Sequence, residues 1–179
     1  MMNEFRDKLI ESAKRRKWCY LGKAEFELPT WDDIFFNIEK IRKDSKAWRR
    51  DPNLNFQMYD TKGIAPIENI RKYFKDIFHK NNVSAHAYFG ICNERGALGL
   101  HKDKMDVIYV GAINTTTMTI WNGGKEDLNK KCLFEQKFEP LDTIYIPAGT
   151  HHQIQIHEPR VSLSFGVEGL EENFPPEYL

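Results

Sequence analysis

The spacing of apolar residues along this chain changes near position 83. Before that point, apolar residues recur every three or four positions in residues 5–13, 34–41 and 67–78, which is the spacing of one helix face. After it, apolar and polar residues alternate in short runs, which is typical of β-strands. The pattern therefore predicts helices first and a β-rich region second.

Capping and turn residues support the predicted helices. Thr30 with Asp33 resembles a capping box, in which each side chain bonds to the backbone of the other residue. Pro66 suits the first turn of the third helix, which we expect to end near Asn81 and Asn82.

The β-rich region divides into short predicted strands that are separated by turn residues. Residues 18–28 and 54–59 also look extended. The strands of the β-rich region are predicted at residues 83–91, 98–102, 106–114, 116–121, 131–138, 142–146, 152–157 and 160–168. Eight short strands at close spacing favour a β-barrel or jelly roll.

No internal repeat or low-complexity linker divides the chain, so we predict a single domain over residues 1–179. Its fold class is mainly β (α+β), with a mostly helical flanking region at 1–82, a jelly-roll core at 83–168 and a tail at 169–179. The helices are expected to pack on the outside of the barrel.

Charge and cysteine content narrow the function classes. Lysine plus arginine equals aspartate plus glutamate, 26 of each, so no long-range field favours a nucleic acid or an anionic membrane as a partner. Cys19, Cys92 and Cys132 form no CxxC pair, which argues against a disulfide framework or a thiolate zinc site. With no apolar stretch of signal or membrane-spanning length, we expect a cytoplasmic protein.

The candidate metal ligands lie in two separate motifs. His101 and Asp103 are two positions apart, so on a strand their side chains lie on the same face. In the second motif, a strand and a Pro/Gly turn precede His151 and His152. Alternation puts His152 on the same face as Ile154, which should be interior, so His152 is the predicted ligand.

Two histidines and one carboxylate leave open positions on an octahedral ion, as in the facial triad of oxygen-activating Fe(II) enzymes. Taken alone, each motif is more often ordinary, with His101 and Asp103 as strand-end polar residues and the two adjacent histidines as a surface pair. Their joint occurrence on consecutive predicted strands favours His101, Asp103 and His152 as metal ligands and catalytic residues.

A polar strand face follows the second motif. Arg160, Ser162 and Ser164 alternate with apolar residues and share one face. If that face lines the barrel lumen, the buried guanidinium needs a partner. A small dicarboxylate such as 2-oxoglutarate would match it bidentately, with a further hydroxyl donor from Ser162. Alternatively, Arg160 is a surface residue that pairs with Glu158.

In this order, His101-x-Asp103, His152 and Arg160-x-Ser162 resemble the HxD, H and RxS motifs of the Fe(II)/2-oxoglutarate-dependent oxygenases, over residues 84–168. The stretch 142–152 is similar to the JmjC-like and cupin-like branch. The resemblance implies a cupin-type double-stranded β-helix that binds Fe(II), with 2-oxoglutarate as co-substrate.

The resemblance also implies two further co-substrate contacts. Tyr88 lies in a His86-x-Tyr88 pair that is similar to the Asn-x-Tyr position of some relatives, and Tyr109 lies on the strand just after HxD. Both tyrosines are alternatively core or rim aromatics.

One region departs from the pattern. The JmjC-like branch usually binds 2-oxoglutarate through a lysine on the strand after HxD, and residues 114–119 contain none. Either Arg160 replaces the charge of that lysine, or the protein does not use 2-oxoglutarate.

The function that the resemblance implies is hydroxylation of a small molecule, amino acid or peptide, with release of succinate and CO2. Halogenation is disfavoured because halogenating relatives lack the carboxylate that Asp103 supplies. The alternatives are a metal-dependent cupin dioxygenase or isomerase that does not use 2-oxoglutarate, and a non-catalytic cupin-like binding module. A homodimer is a further expectation, by analogy with barrels of this type.

Overall fold

The computed structural model describes residues 2–44, 46–50, 55–79, 81–90, 99–170 and 173–175. Some parts of the predictions lie outside these ranges. They are the predicted strand ends at residues 54, 91 and 98, the cysteine Cys92, and residues 171–172 and 176–179 of the predicted tail. The elements of the described residues are, in chain order, α1 (Met2–Lys14), β1 (Cys19–Lys23), α2 (Trp31–Ile41), β2 (Trp48–Arg50), β3 (Asn55–Met58), α3 (Ala65–Ile77), β4 (Val83–Gly90), β5 (Asp106–Ile113), β6 (Thr116–Trp121), β7 (Cys132–Phe138), β8 (Asp142–Ile146), β9 (His151–Ile156) and β10 (Arg160–Val167).

The predicted helices are present, and the capping box of α2 is confirmed. The Thr30 side chain accepts a hydrogen bond from the backbone of Asp33, and the Asp33 carboxylate accepts one from the backbone of Thr30. α3 ends at Ile77, earlier than predicted, because Phe78 leaves the helical conformation with φ −110° and ψ 44°. Within the described ranges, none of the helices has the length and apolar character that a membrane span requires.

The strands form two antiparallel sheets. One has seven strands in the order β1-β8-β5-β10-β4-β3-β2, and the other has three in the order β7-β6-β9. From β4 to β10 the chain passes repeatedly between the two sheets, which is the connectivity of a jelly roll, or double-stranded β-helix. The predicted mainly β fold class is confirmed.

The flanking region contributes strands as well as helices. β1 pairs with β8, with Cys19 opposite Tyr145, and β3 pairs with β4, with Met58 opposite Ala87. β2 extends the sheet beyond β3. The extended segments predicted before residue 83 therefore each contribute a strand to the seven-stranded sheet, although β1 ends at Lys23 and does not extend to residue 28.

One predicted strand, at residues 98–102, is wrong in its described part. That part has a single bridge, between His101 and His152, made by two reciprocal backbone bonds of 3.0 and 2.8 Å. The chain then leaves the sheet, because the Asp103 carbonyl accepts a bond from the Gly149 backbone instead of from a strand.

The two faces of the seven-stranded sheet pack against different partners. The outer face packs on the helices, where Phe165 meets Phe74 with ring centroids 5.1 Å apart and Leu9 joins the same cluster. The inner face packs on the three-stranded sheet through residues such as Tyr109 and Met118. Full burial of each such side chain stabilises the fold by about 1.5–3 kcal/mol. The helices thus lie outside the barrel, as predicted, and its lumen lies between the sheets.

Candidate metal centre

The three predicted metal ligands converge in the lumen. One ligand atom each from His101, Asp103 and His152 lies within 4.8 Å of the others, and His152 Nε2 is 3.5 Å from Asp103 Oδ2. Adjacent ligands of an octahedral ion with bonds of about 2.1 Å are about 3 Å apart. Small inward shifts of these side chains would therefore coordinate a divalent ion.

The backbone around the histidines holds the ligands in register. The reciprocal bonds between His101 and His152 bring their rings to 4.3 Å between centroids. The bond from Gly149 to the Asp103 carbonyl fixes the carboxylate side of the site to the turn that precedes β9. Gly149 has φ 81°, a left-handed conformation that glycine adopts without strain.

Hydrogen bonds to backbone carbonyls set the tautomers of both histidines. His101 Nδ1 donates to the Gly99 carbonyl at 2.9 Å, and His152 Nδ1 donates to the Thr150 carbonyl at 3.0 Å. Because a carbonyl oxygen only accepts, each Nδ1 carries the proton. In the neutral rings each Nε2 then presents a lone pair, which is the arrangement that metal-binding imidazoles use.

The electrostatics of the site favour a cation. Burial lowers the pKa of His152, and the neighbouring His101 lowers it further, so His152 is neutral near pH 7. Its Nε2 lone pair then faces the Asp103 carboxylate with no proton between them. Two electron-pair donors in this position repel each other, and a metal ion between them removes the repulsion.

The adjacent histidine lies outside the site. His152 is only 4% exposed, whereas His151 is partly exposed, and its ring lies where a side chain at Gly124 would be. In β9, His152 and not His151 therefore faces the interior, as the alternation of apolar residues predicts.

The guanidinium of Arg160 lies inside the barrel. Arg160 is 1% exposed, and its NH1 donates to the Tyr88 carbonyl at 2.6 Å and to Ser162 Oγ at 3.0 Å. Glu158, the partner in the alternative surface pair, accepts instead from the backbone and hydroxyl of Thr115. The structure thus has Arg160 as an interior cation.

Both predicted tyrosines line the same cavity as the triad and Arg160. Tyr109 Oη bonds to Thr116 Oγ1 at 2.8 Å, and Tyr88 Oη accepts from Gln57 Nε2 at 2.7 Å. Burial raises the pKa of both phenols, so both hydroxyls stay protonated near neutral pH. Ser162 contacts Arg160, but Ser164 is the serine that lines the cavity.

The cavity is small and mostly apolar. Its volume is about 40 Å³, which holds one or a few water molecules. Val107, Met118, Ile146 and Ile154 form its apolar wall. A dicarboxylate would enter only if the surrounding side chains moved apart. On β6, where the JmjC-like lysine is missing, Met118 lies against this space.

Asp106 supports the site and was not predicted. This carboxylate is 1% exposed and accepts from Ala148 N at 2.8 Å, from Tyr145 Oη at 3.0 Å and from Arg16. The Asp106 carboxylate thus connects the turn before His152 with the residues that follow α1. The sequence signal was an acidic residue at the head of the otherwise apolar β5.

Comparisons with known proteins concern the fold. No family model and no curated protein sequence matches this chain. Three solved structures of YcfD from Escherichia coli, described as a ribosomal oxygenase, match it at 16–17% identity with TM-scores of 0.55–0.56 over 64% of this chain. Two of these are complexes of cobalt with succinic acid or with 2-oxoglutarate.

The match covers 31–33% of the YcfD chains, so this chain spans about a third of their length. At this identity the likeness concerns architecture alone. The chain has the cupin-like double-stranded β-helix fold that occurs in 2-oxoglutarate oxygenases.

Proposed function

We propose that this chain is an Fe(II)- and 2-oxoglutarate-dependent oxygenase that hydroxylates a small molecule, amino acid or peptide. The net reaction converts 2-oxoglutarate, O2 and a substrate R–H into succinate, CO2 and R–OH. The observation that carries the proposal is the convergence of ligand atoms from His101, Asp103 and His152 in the lumen. This donor set suits Fe(II) and leaves coordination positions open for reactants.

The ion, when bound with its co-substrate, supplies the activation of O2. The residues of the chain hold, orient and shield the reactants. The bonds of the two Nδ1 atoms to carbonyls keep both imidazoles oriented for coordination. The apolar wall around Met118 and Ile154 keeps water away from the reacting group.

The interior position of Arg160 supports 2-oxoglutarate as the co-substrate. A guanidinium can bind the far carboxylate of a dicarboxylate bidentately and supply the charge that the JmjC-like lysine gives elsewhere. Arg160 would then exchange its bond to the Tyr88 carbonyl or to Ser162 for a bond to this carboxylate. The solved complex of YcfD with cobalt and 2-oxoglutarate, which has the same fold, adds support.

The narrow lumen limits the substrate. The small lumen favours a small molecule, or one side chain of an amino acid or peptide, as the group that reaches the metal. A cytoplasmic location is part of the proposal, because Cys19 and Cys132 are free thiols and free thiols suit a reducing compartment. The homodimer stays a prediction, which size-exclusion chromatography with light scattering would test.

The test of metal binding is an anaerobic titration of Fe(II) and then 2-oxoglutarate into metal-free protein. The visible charge-transfer band of the iron chelate is recorded, and we expect it in the wild type. His152→Ala should weaken Fe(II) binding by more than the roughly 10- to 100-fold that the loss of a supporting group costs. His151→Ala removes the adjacent histidine outside the site, so this matched control should keep the band.

A variant at Arg160 distinguishes 2-oxoglutarate binding from metal binding. Arg160→Gln should bind Fe(II) like the wild type but lose the band, whereas Arg50→Ala, at an exposed arginine of β2, should keep it. Stoichiometric iron binding without a band in the wild type would contradict 2-oxoglutarate use and favour another cupin dioxygenase or isomerase. No iron binding in the wild type would favour the non-catalytic module.

A further inference from the structure

A row of polar side chains crosses the inner face of the seven-stranded sheet beside the cavity. Arg49 lies opposite Gln57, Gln57 opposite Tyr88, and Tyr88 opposite Ser162. Residues that lie directly opposite each other on paired strands project from the same face. Because Tyr88 lines the cavity, Gln57 lies on the cavity side of the sheet, although it precedes the region of family resemblance.

The Gln57 amide bridges two phenols. Tyr59 Oη donates to Gln57 Oε1 at 3.2 Å, and Gln57 Nε2 donates to Tyr88 Oη at 2.7 Å. An amide oxygen only accepts and an amide nitrogen only donates. The Tyr88 oxygen therefore accepts a hydrogen bond from Gln57, and its own O–H does not donate to that residue. Within the described part of the chain, Gln57 is the hydrogen-bond partner of this hydroxyl.

The remaining proton of Tyr88 is a donor beside the cavity. Burial raises the pKa of Tyr88, and the negative charge of Asp103 raises it further, so the phenol keeps its proton. The Tyr88 carbonyl accepts from Arg160 NH1 at 2.6 Å, which places the guanidinium next to the same residue. Tyr88 and Arg160 also both line the cavity, so a dicarboxylate there could accept from both the hydroxyl and the guanidinium.

We propose that Gln57 is a positioning residue that directs the Tyr88 hydroxyl proton into the lumen, where it donates to a carboxylate of 2-oxoglutarate held by Arg160. The inference rests on the proposed use of 2-oxoglutarate. In the opposite arrangement, Tyr88 donates to the Gln57 amide oxygen and the lumen loses this donor. The two arrangements can be distinguished by replacing Gln57 with a residue whose side chain can only accept hydrogen bonds.

Gln57→Glu provides that residue. A carboxylate at position 57 only accepts, so Tyr88 must donate to it and turn its proton away from the lumen. Anaerobic calorimetry should show 2-oxoglutarate binding weakened about 10- to 100-fold, as expected for a lost hydrogen bond to a charged group. The affinity for Fe(II) alone should stay as in the wild type. Gln155→Glu, at an exposed position of β9, is the control for an added charge and should change neither affinity.

A double-mutant cycle tests whether Gln57 acts through Tyr88. Tyr88→Phe alone should weaken 2-oxoglutarate binding about as much as Gln57→Glu does, and adding Gln57→Glu to Tyr88→Phe should change the affinity less than about twofold. A full additional loss in the double variant would overturn the inference, because the introduced charge would then act directly on the ligand. Tyr59→Phe, at a partly exposed residue, should cause a smaller loss of about two- to fivefold by releasing the amide.

The outcomes separate the two proposals. If the wild type binds 2-oxoglutarate and Gln57→Glu binds it equally well, the role of Gln57 is refuted and the proposed function stands. If the folded, metal-loaded wild type does not bind 2-oxoglutarate, both are refuted. Circular dichroism of each variant establishes that a loss of binding does not come from a loss of fold.

Discussion

Asp106 is the buried carboxylate at which β8, the turn before His152 and the segment after α1 meet. Its Oδ1 accepts from Ala148 N, and its Oδ2 accepts from Tyr145 Oη and Arg16. All three partners are donors. Asparagine has the same shape but replaces one acceptor oxygen with an NH2 group that donates. In Asp106→Asn, the new NH2 group must therefore point at one of these donors, and no hydrogen bond can form between them.

The size of the effect follows from burial. Removing one partner of a buried ion pair typically costs about 3–5 kcal/mol, and one hydrogen bond to a charged group contributes about 1.5–3 kcal/mol. The Arg16 side chain is 27% exposed, so its charge regains water when the carboxylate is lost. We therefore expect Asp106→Asn to lower the free energy of unfolding by about 3 kcal/mol, or the Tm by about 6–12 °C for a chain of this length.

Urea unfolding followed by circular dichroism measures this change. Arg16→Met should also destabilise the protein, by at least about 2 kcal/mol, because it leaves the carboxylate buried without its cation. Arg15→Met is the matched control, since Arg15 pairs with Glu11 on the surface, with side chains 71% and 53% exposed, and should cost at most about 0.5 kcal/mol. If Asp106→Asn and Arg16→Met both fall within that control's range, the network does not stabilise the fold.

Three further changes have defined outcomes. Hydrogen bonds from the backbone and side chain of Thr30 lower the pKa of Asp33. The stability that they contribute is therefore present above the ordinary pKa of aspartate and is lost as the pH falls through the lowered pKa. Thr30→Ala should raise the pKa of Asp33 in an NMR titration, and an unchanged pKa would contradict the capping box. Burial lowers the pKa of His86, so its contribution to stability is present above about pH 6.5 and lost as pH falls through its folded pKa. His86→Gln should therefore flatten the pH dependence of urea unfolding of the metal-free protein, and an unaltered slope would count against this assignment. A Cβ at Gly111 would lie 2.6 Å from the backbone oxygen of Glu139, so Gly111→Ala should cost about 1–3 kcal/mol in thermal unfolding, and a neutral result would refute this steric argument.

The parts of the fold that depend on local alternation were predictable. In β10, Val161, Leu163 and Phe165 pack outward while Arg160 and Ser162 face inward, as the alternation of apolar and polar residues indicates. His152 was separated from His151 by the same reasoning. In these cases, a pattern of two-residue period decides which face is buried.

The parts that depend on distant partners were not predictable in the same way. His101 lies in a single bridge because the carbonyl of Asp103 bonds to the turn at Gly149, and no local pattern shows this. Asp106 is stabilised in the interior by Arg16, ninety positions earlier. Gln57 meets Tyr88 because β3 pairs with β4. Such contacts are set by the register between strands, which a single sequence does not display.

The pairing of β1 with β8 has a consequence for how the chain reaches this fold. Cys19 is synthesised long before Tyr145, the residue opposite it, so the first strand must wait for most of the chain before it can join the sheet. A fragment containing only residues 83–168 would leave the edges of β8 and β4 without β1 and β3. Its outer apolar face would also lack the helices. Open strand edges promote association between molecules, so such a shortened chain should aggregate during expression instead of folding as an independent barrel.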